Sequence, residues 1–189
     1  MNHRLLSPLL LAALCACGTT PSATDNTTSD APCVRDARSN LPGVSIAITT
    51  ERCAWTRAEA AKGITFTYVT TVEEEVTDVA STPQDAGGCG RPEASGLIPF
   101  PTVKGGSNSW CICDEGNCPD YASTATLPAG TTTGSFTWDG VNWGGPSDTM
   151  NPKGDPFPAG AYTVQIEAKG TRAEAPFSVS ATLDITLTD

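Results

Sequence analysis

Cysteine is the residue type that offers the most chemistry in this chain. Eight cysteines are present, and two of them, Cys15 and Cys17, lie within the first seventeen residues. The other six form an even set, which permits three disulfides in fifteen possible pairings, all of which stay open. In an exported protein each bridge stabilises the folded chain by about 2–4 kcal/mol. The disulfide candidates are Cys33, Cys53, Cys89, Cys111, Cys113 and Cys118.

The cluster from Cys111 to Cys118 has an alternative interpretation as a thiolate metal site. Zinc sites favour Cys-x-x-Cys pairs in a reducing cytosol, whereas here the spacing is Cys-x-Cys followed by Cys-x4-Cys. A redox role would require a thioredoxin-like Cys-x-x-Cys, which the cluster lacks. We therefore expect disulfides, and neither a metal nor another cofactor.

Histidine chemistry is removed if the N-terminal segment is cleaved, because His3 is the one histidine of the chain. A serine or cysteine nucleophile paired with histidine, and a histidine-ligated metal, are then impossible. An enzyme would have to work through paired carboxylates, as glycan hydrolases do. No spacing singles out a pair, and acids in runs usually form a solvated face, so no catalytic residue is assigned. The acids that qualify by chemistry alone are Glu73, Glu74, Glu75, Asp114, Glu115 and Asp120.

The first seventeen residues have the pattern of an export signal. A short positive segment ending at Arg4 precedes an apolar run of about ten residues, half the ~20 that span a bilayer. The run ends in Leu14-Cys-Ala-Cys17-Gly18, which resembles the lipobox of bacterial lipoproteins. The resemblance implies removal of residues 1–16, acylation of Cys17 and a lipid bilayer as a partner. Since Gly18 is not the aspartate of an inner-membrane retention signal, it also implies the outer membrane. The alternative is an ordinary secretory signal in which Cys17 is incidental.

Residues 17–32 contain no large apolar side chain and are expected to form a flexible tether behind the lipid. The formal net charge of the chain is −10, and removing the signal with Arg4 makes the balance one unit more negative. Such an acidic domain excludes nucleic acid as a partner and stands off an anionic bilayer.

Residues 33–189 are predicted to form one mainly β extracytoplasmic domain. Apolar and polar residues alternate in 44–50, 64–71, 162–166 and 177–187, which is typical of half-buried strands. Thr56 and Glu59 have capping-box spacing, and Gly63 is placed to end a helix of one or two turns. Residues 84–121, rich in Gly, Pro and Cys, are expected to form an irregular insertion that disulfides hold together.

Two segments near the C-terminus carry a resemblance to a known module. Residues 135–140 (Ser-Phe-Thr-Trp-Asp-Gly) and 157–164 (Phe-Pro-Ala-Gly-Ala-Tyr-Thr-Val) resemble an Ig-like β-sandwich. They are similar to the hook-capping flagellar Ig-like domain and to the bacillar intracellular proteinase inhibitor family. The resemblance implies an antiparallel Ig-like sandwich in which one strand ends at Trp138 and another begins after Pro158-Ala-Gly160. It leaves proteinase inhibition as an alternative function.

The loop from Val141 to Asp155 holds Asp148, Asn151 and Asp155, oxygen-bearing side chains of the kind that bind calcium. Their spacing matches no EF-hand, and Asp and Asn among glycines more often make turns. The favoured function is a non-catalytic binding or structural module for a protein or glycan of the envelope. This function predicts exposed aromatic side chains clustered on one side, with Phe100, Trp110 and Trp143 as candidates.

Overall fold

The computed structural model describes residues 33–82, 93–106, 108–112, 123–143 and 153–189. They form a mainly β, sandwich-like fold of antiparallel sheets, as the alternation in the sequence predicts. Within these residues no helix is long and apolar enough to cross a membrane. The elements in chain order are β1 (Arg35–Ser39), β2 (Val44–Thr50), β3 (Ala54–Thr56), α1 (Arg57–Ala60), β4 (Ile64–Val72), β5 (Val76–Thr82), β6 (Phe100–Gly105), β7 (Asn108–Cys111), β8 (Ser123–Leu127), β9 (Gly130–Trp138), β10 (Val141–Trp143), β11 (Lys153–Pro156), β12 (Gly160–Arg172) and β13 (Ala175–Thr188).

The large sheet is built around the long hairpin of β12 and β13. Strand β13 pairs with β1 along one edge and in parallel with β3 near its end, while β12 pairs with β5 and β6. Strand β8 extends the sheet beyond β5, and β7 extends it beyond β6. The small sheet has the order β2-β4-β9, and β10 pairs with β11 as a separate two-stranded sheet.

The core lies between the two sheets and is filled by the alternate residues that the sequence pattern marks. Val44, Ile46 and Ile48 of β2 are buried, and every second residue of β13 from Phe177 to Leu187 is buried as well. A strand places successive side chains on opposite faces, so one face of each of these strands packs inward and the other is left for polar residues. The four predicted strand segments are therefore confirmed.

Aromatic rings close one end of this core. Trp138, at the end of β9, is buried and donates its indole N–H to the carbonyl oxygen of Val141 at 2.9 Å. Phe157 packs edge-on against the rings of Trp138 and Tyr162, with centroids 5.1 and 5.2 Å away. The Tyr162 hydroxyl donates to the carbonyl oxygen of Pro158 at 2.8 Å. Each buried aromatic polar atom thus has a partner, as burial requires.

The short helix also forms as predicted. The Thr56 hydroxyl oxygen accepts a hydrogen bond from the Glu59 backbone N–H, and the Glu59 carboxylate accepts one from the Thr56 backbone N–H. The helix ends before Gly63, which has φ +101°. Arg52 supports this corner with an ion pair to Glu59 at 2.6 Å and by lying over the Trp55 ring. The hydrogen bonds from Arg52 and Thr56 lower the pKa of Glu59 to about 2.

Residues 84–121 are not irregular throughout, which corrects the expectation for this stretch. Strands β6 and β7 form a hairpin, and β6 pairs with β12 from Phe100 to Lys104. Pro101 lies within β6, and the turn at Gly105 and Gly106 follows, so Pro and Gly conceal the strand pattern in the sequence. Only Val103 of this short strand packs into the main core.

The turn between β12 and β13 holds two non-glycine residues in the left-handed region, Ala173 at φ +46° and Glu174 at φ +68°. Each such residue costs about 1–2 kcal/mol unless it is glycine. We therefore expect Glu174→Gly to raise the free energy of unfolding by about 0.5–1 kcal/mol, after the loss of chain entropy that glycine brings. Urea unfolding measures this change.

The matched control is Lys169→Gly, which places glycine at an exposed, extended position of β12. There it should lower the free energy of unfolding by about 0.5–1 kcal/mol. Equal destabilisation by the two substitutions would show that the turn is not strained.

Candidate functional site

The outer face of the large sheet carries polar side chains on four neighbouring strands. Residues of β12 with odd numbers point away from the core, since the even-numbered Tyr162, Val164 and Ile166 are buried inside it. Gln165 lies on this outer face, beside Thr182 of β13 on one side and Thr102 of β6 on the other. Beyond Thr182 the same row reaches Asp36 of β1.

Two adjoining hollows indent this face, and both are lined by Lys104. The larger has a volume of about 490 Å³ and lies beside the Cys33–Cys53 disulfide, and the smaller has about 320 Å³. We call the two hollows together the trough. Volumes of this order are typical of ligand pockets. The polar side chains of the outer face that line the trough are Asp36, Arg38, Lys104, Thr163, Gln165, Ser180, Thr182, Asp184 and Thr186.

Charges of both signs are arranged along the trough. Arg38 is ion-paired with Asp36 at 2.7 Å, and the Thr163 hydroxyl donates to the Asp184 carboxylate at 2.6 Å. Lys104 is exposed, and its ammonium has no ion-pair or hydrogen-bond partner within the described part of the chain. Lys104 is therefore a positive donor that both hollows share.

Gln165 is the unusual residue of the trough because its polar side chain is buried without a partner. It is 8% exposed, and across the described ranges no hydrogen bond satisfies its amide. Burying an amide in this state costs about 1–3 kcal/mol, so buried polar groups are nearly always hydrogen-bonded. Gln165 also lines the smaller hollow, so a molecule that occupied it would lie next to this amide.

The disulfide fixes the rim of the trough. Cys33 and Cys53, whose Cα atoms are 5.2 Å apart, are joined, and this is one bridge of the fifteen pairings that the sequence left open. The flanking backbone is bonded to β13, since Asp184 N–H donates to Val34 O at 3.0 Å and Thr186 N–H donates to Cys53 O at 2.8 Å. Cys33, the first described residue, thus lies at the rim of the trough.

Of the other four disulfide candidates, Cys111 alone lies among the described residues. Cys111 is the last residue of β7, while Cys89, Cys113 and Cys118 lie outside the described residues. Among the residues that are described, no group of three or more potential ligand side chains is placed to hold a metal ion.

The predicted patch of exposed aromatic side chains is wrong for two of its three candidates. Phe100 is buried, and Trp110 is half-buried with its ring edge-on to Phe157 at 4.7 Å. Both rings belong to the hairpin β6–β7, whose pairing with the large sheet covers side chains that an irregular loop would expose. The backbone of Trp143 belongs to β10, and nothing is described of its side chain. Val34, 70% exposed, is the exposed large hydrophobic residue of the described chain.

The acids that qualify for a carboxylate enzyme are divided between described and undescribed residues. Glu73, Glu74 and Glu75 are exposed on the turn between β4 and β5. Asp114, Glu115 and Asp120 lie outside the described residues. Two of the three calcium candidates, Asp148 and Asn151, also lie outside the described residues.

The base of the 141–155 loop forms a hairpin in which β10 pairs with β11, so Asp155 belongs to a strand. The neighbouring Asp139 bonds to the Lys153 ammonium. This ion pair compensates the charge of the Asp139 carboxylate.

Glu93 is a half-buried carboxylate that the sequence analysis did not single out. The Tyr68 hydroxyl donates to it, and Thr70 and Ser95 donate at 3.5 and 3.4 Å. Tyr68 reaches it by lying across Gly134, where any side chain would meet the Tyr68 ring. These hydrogen bonds hold residues 93–98 against β4. A single Glu in a turn is common in sequences, so the sequence gives no sign of this cluster.

Burial raises the pKa of Glu93, although its three hydrogen bonds act in the opposite direction. Burial also raises the pKa of Tyr68, and the Glu93 carboxylate adds to that effect. Glu93 is thus a structural acid that prefers its protonated form more than an ordinary glutamate does.

The raised pKa of Glu93 makes part of the free energy of unfolding depend on pH. The folded chain binds the Glu93 proton more tightly than the unfolded chain does. Glu93 therefore contributes most to the free energy of unfolding below the ordinary glutamate pKa, and this contribution declines as pH rises through the raised value. Glu93→Gln should flatten this decline in urea unfolding curves measured between about pH 4 and pH 7. The exposed control Glu74→Gln should leave it unchanged, and a steeper decline in Glu93→Gln would contradict the assignment.

The resemblance to Ig-like modules rests on residues that the structure packs together, since Trp138, Phe157 and Tyr162 form the aromatic cluster described above. That packing shows architecture and carries no activity. No family model, curated protein or solved structure matches this chain.

Proposed function

We propose that this protein is a lipid-anchored extracytoplasmic binding module whose ligand occupies the trough. The observation that carries the proposal is the trough itself, in which the unpartnered amide of Gln165 and the free ammonium of Lys104 line the same hollow. A sheet face that only has to remain soluble has no need of a buried amide without a partner. Recognition of a ligand supplies the missing hydrogen bonds.

Anchoring and recognition are compatible in this arrangement. Acylation at Cys17 would hold the chain in the membrane, and residues 18–32 would let the domain stand away from it. The acidic surface is repelled by anionic headgroups. The ligand is therefore expected to be an envelope component that lies off the bilayer surface.

Lys104→Glu tests the trough directly. The assay uses the mature chain with Cys17→Ser, which cannot be acylated and should therefore not enter the detergent phase. This chain is mixed with envelopes isolated from the native host. Sedimentation then measures the bound fraction. Reversing the charge of Lys104 should weaken binding about tenfold or more, because a positive donor becomes a negative group in a hollow that Asp184 also lines.

The matched control is Lys62→Glu, which makes the same charge change at an exposed lysine after α1 and outside the trough. Its binding should equal that of the parent chain. An equal loss in both variants would indicate a general charge effect, and no loss in Lys104→Glu would remove the trough as the binding surface.

A further inference from the structure

We infer that the trough binds a neutral saccharide, whose adjacent hydroxyl groups hydrogen-bond with the buried amide of Gln165. The inference rests on the proposed function and names the ligand class that the trough accepts. It starts from the chemistry of the amide, whose oxygen accepts hydrogen bonds and whose nitrogen donates them. A ligand that satisfies both atoms must offer a donor and an acceptor side by side.

Adjacent hydroxyls of a sugar ring meet this requirement. One hydroxyl donates to the amide oxygen while its neighbour accepts from the amide nitrogen, so both unsatisfied atoms of Gln165 are paired at once. A carboxylate offers acceptors alone and would leave the amide oxygen without a donor. The buried amide therefore discriminates against purely anionic ligands.

The flanking side chains favour the same ligand class. Asp36 and Asp184 accept hydrogen bonds from hydroxyl groups, while Arg38 and Lys104 donate to them. The two acids and two bases of the trough balance in charge, within a chain whose net charge is −10. A polyanionic ligand would be repelled by the whole molecule, whereas a neutral ligand would not.

The size of the trough suits a few sugar units of a longer polymer. The two hollows follow one another along β12 and β13, and the larger, of about 490 Å³, is within the range of small-molecule pockets. A saccharide chain can lie along the hollows and continue past both ends of the trough.

Gln165→Met separates a ligand contact from a structural role. Methionine has the length of glutamine without its polar atoms, so the variant should melt at the same temperature as the parent or higher, because a buried amide without a partner is removed. Saccharide binding should weaken about tenfold, since two hydrogen bonds are lost. A structural hydrogen-bonding role would lower the melting temperature instead.

The mature Cys17→Ser chain is applied to an array of neutral and acidic oligosaccharides, and calorimetric titration follows with the neutral one that gives the strongest signal. Thr133→Ala, on the exposed outer face of the small sheet, is the control and should bind like the parent. Binding of neutral saccharides that Gln165→Met weakens supports the inference.

Binding to acidic oligosaccharides alone, no binding to any neutral one, or unchanged binding by Gln165→Met would each overturn the inference. If Lys104→Glu still abolished envelope binding in that case, the trough would remain the binding surface for another ligand class. If Lys104→Glu also had no effect, the proposed function would fail with it.

Discussion

The pairing of β12 with β13 is the constraint on which the rest of the structure depends. Thirteen consecutive pairs, from Gly160 with Leu187 to Arg172 with Ala175, fix a single register. Because side chains alternate across a strand, this register sends Val164 and Leu183 into the core and leaves Gln165 and Thr182 on the outer face. A shift of one residue would exchange the two sets, so the core and the trough are specified together.

The disulfide joins Cys33, at the start of the described domain, to Cys53, and both lie next to backbone that is hydrogen-bonded to β13. Cys33 and Cys53 flank two backbone hydrogen bonds to β13, at Asp184 and Thr186. A bridge that closes a loop of this length stabilises the folded chain by about 3 kcal/mol. It also holds the rim of the larger hollow, which both cysteines line.

Sequence patterns predicted the parts of the fold that local physics decides. The alternation in β2, β4, β12 and β13 and the capping box at Thr56 were confirmed, because each depends on residues a few positions apart. Strand β6 was missed because Pro101 and Gly105 have the composition of a loop, and its strand identity comes from pairing with β12, more than fifty residues away in sequence.

The site was less predictable than the fold. Nothing in the sequence shows that Gln165 is buried or that its amide lacks a partner, since both facts arise from neighbouring strands. The same is true of Glu93, whose raised pKa results from tertiary burial beside Tyr68. The cysteine count predicted that bridges form, while the joining of Cys33 to Cys53 required the three-dimensional structure.

Site-specific photo-crosslinking in the native host tests most directly whether the outer face of the large sheet is the binding surface. A diazirine amino acid is placed at Ser180 in the trough of one chain, and at Thr133 on the small sheet of another. After irradiation of intact cells, we predict a higher-mass adduct from the Ser180 position and none from Thr133. Adducts from Thr133 alone, or equal adducts from both positions, would contradict the account.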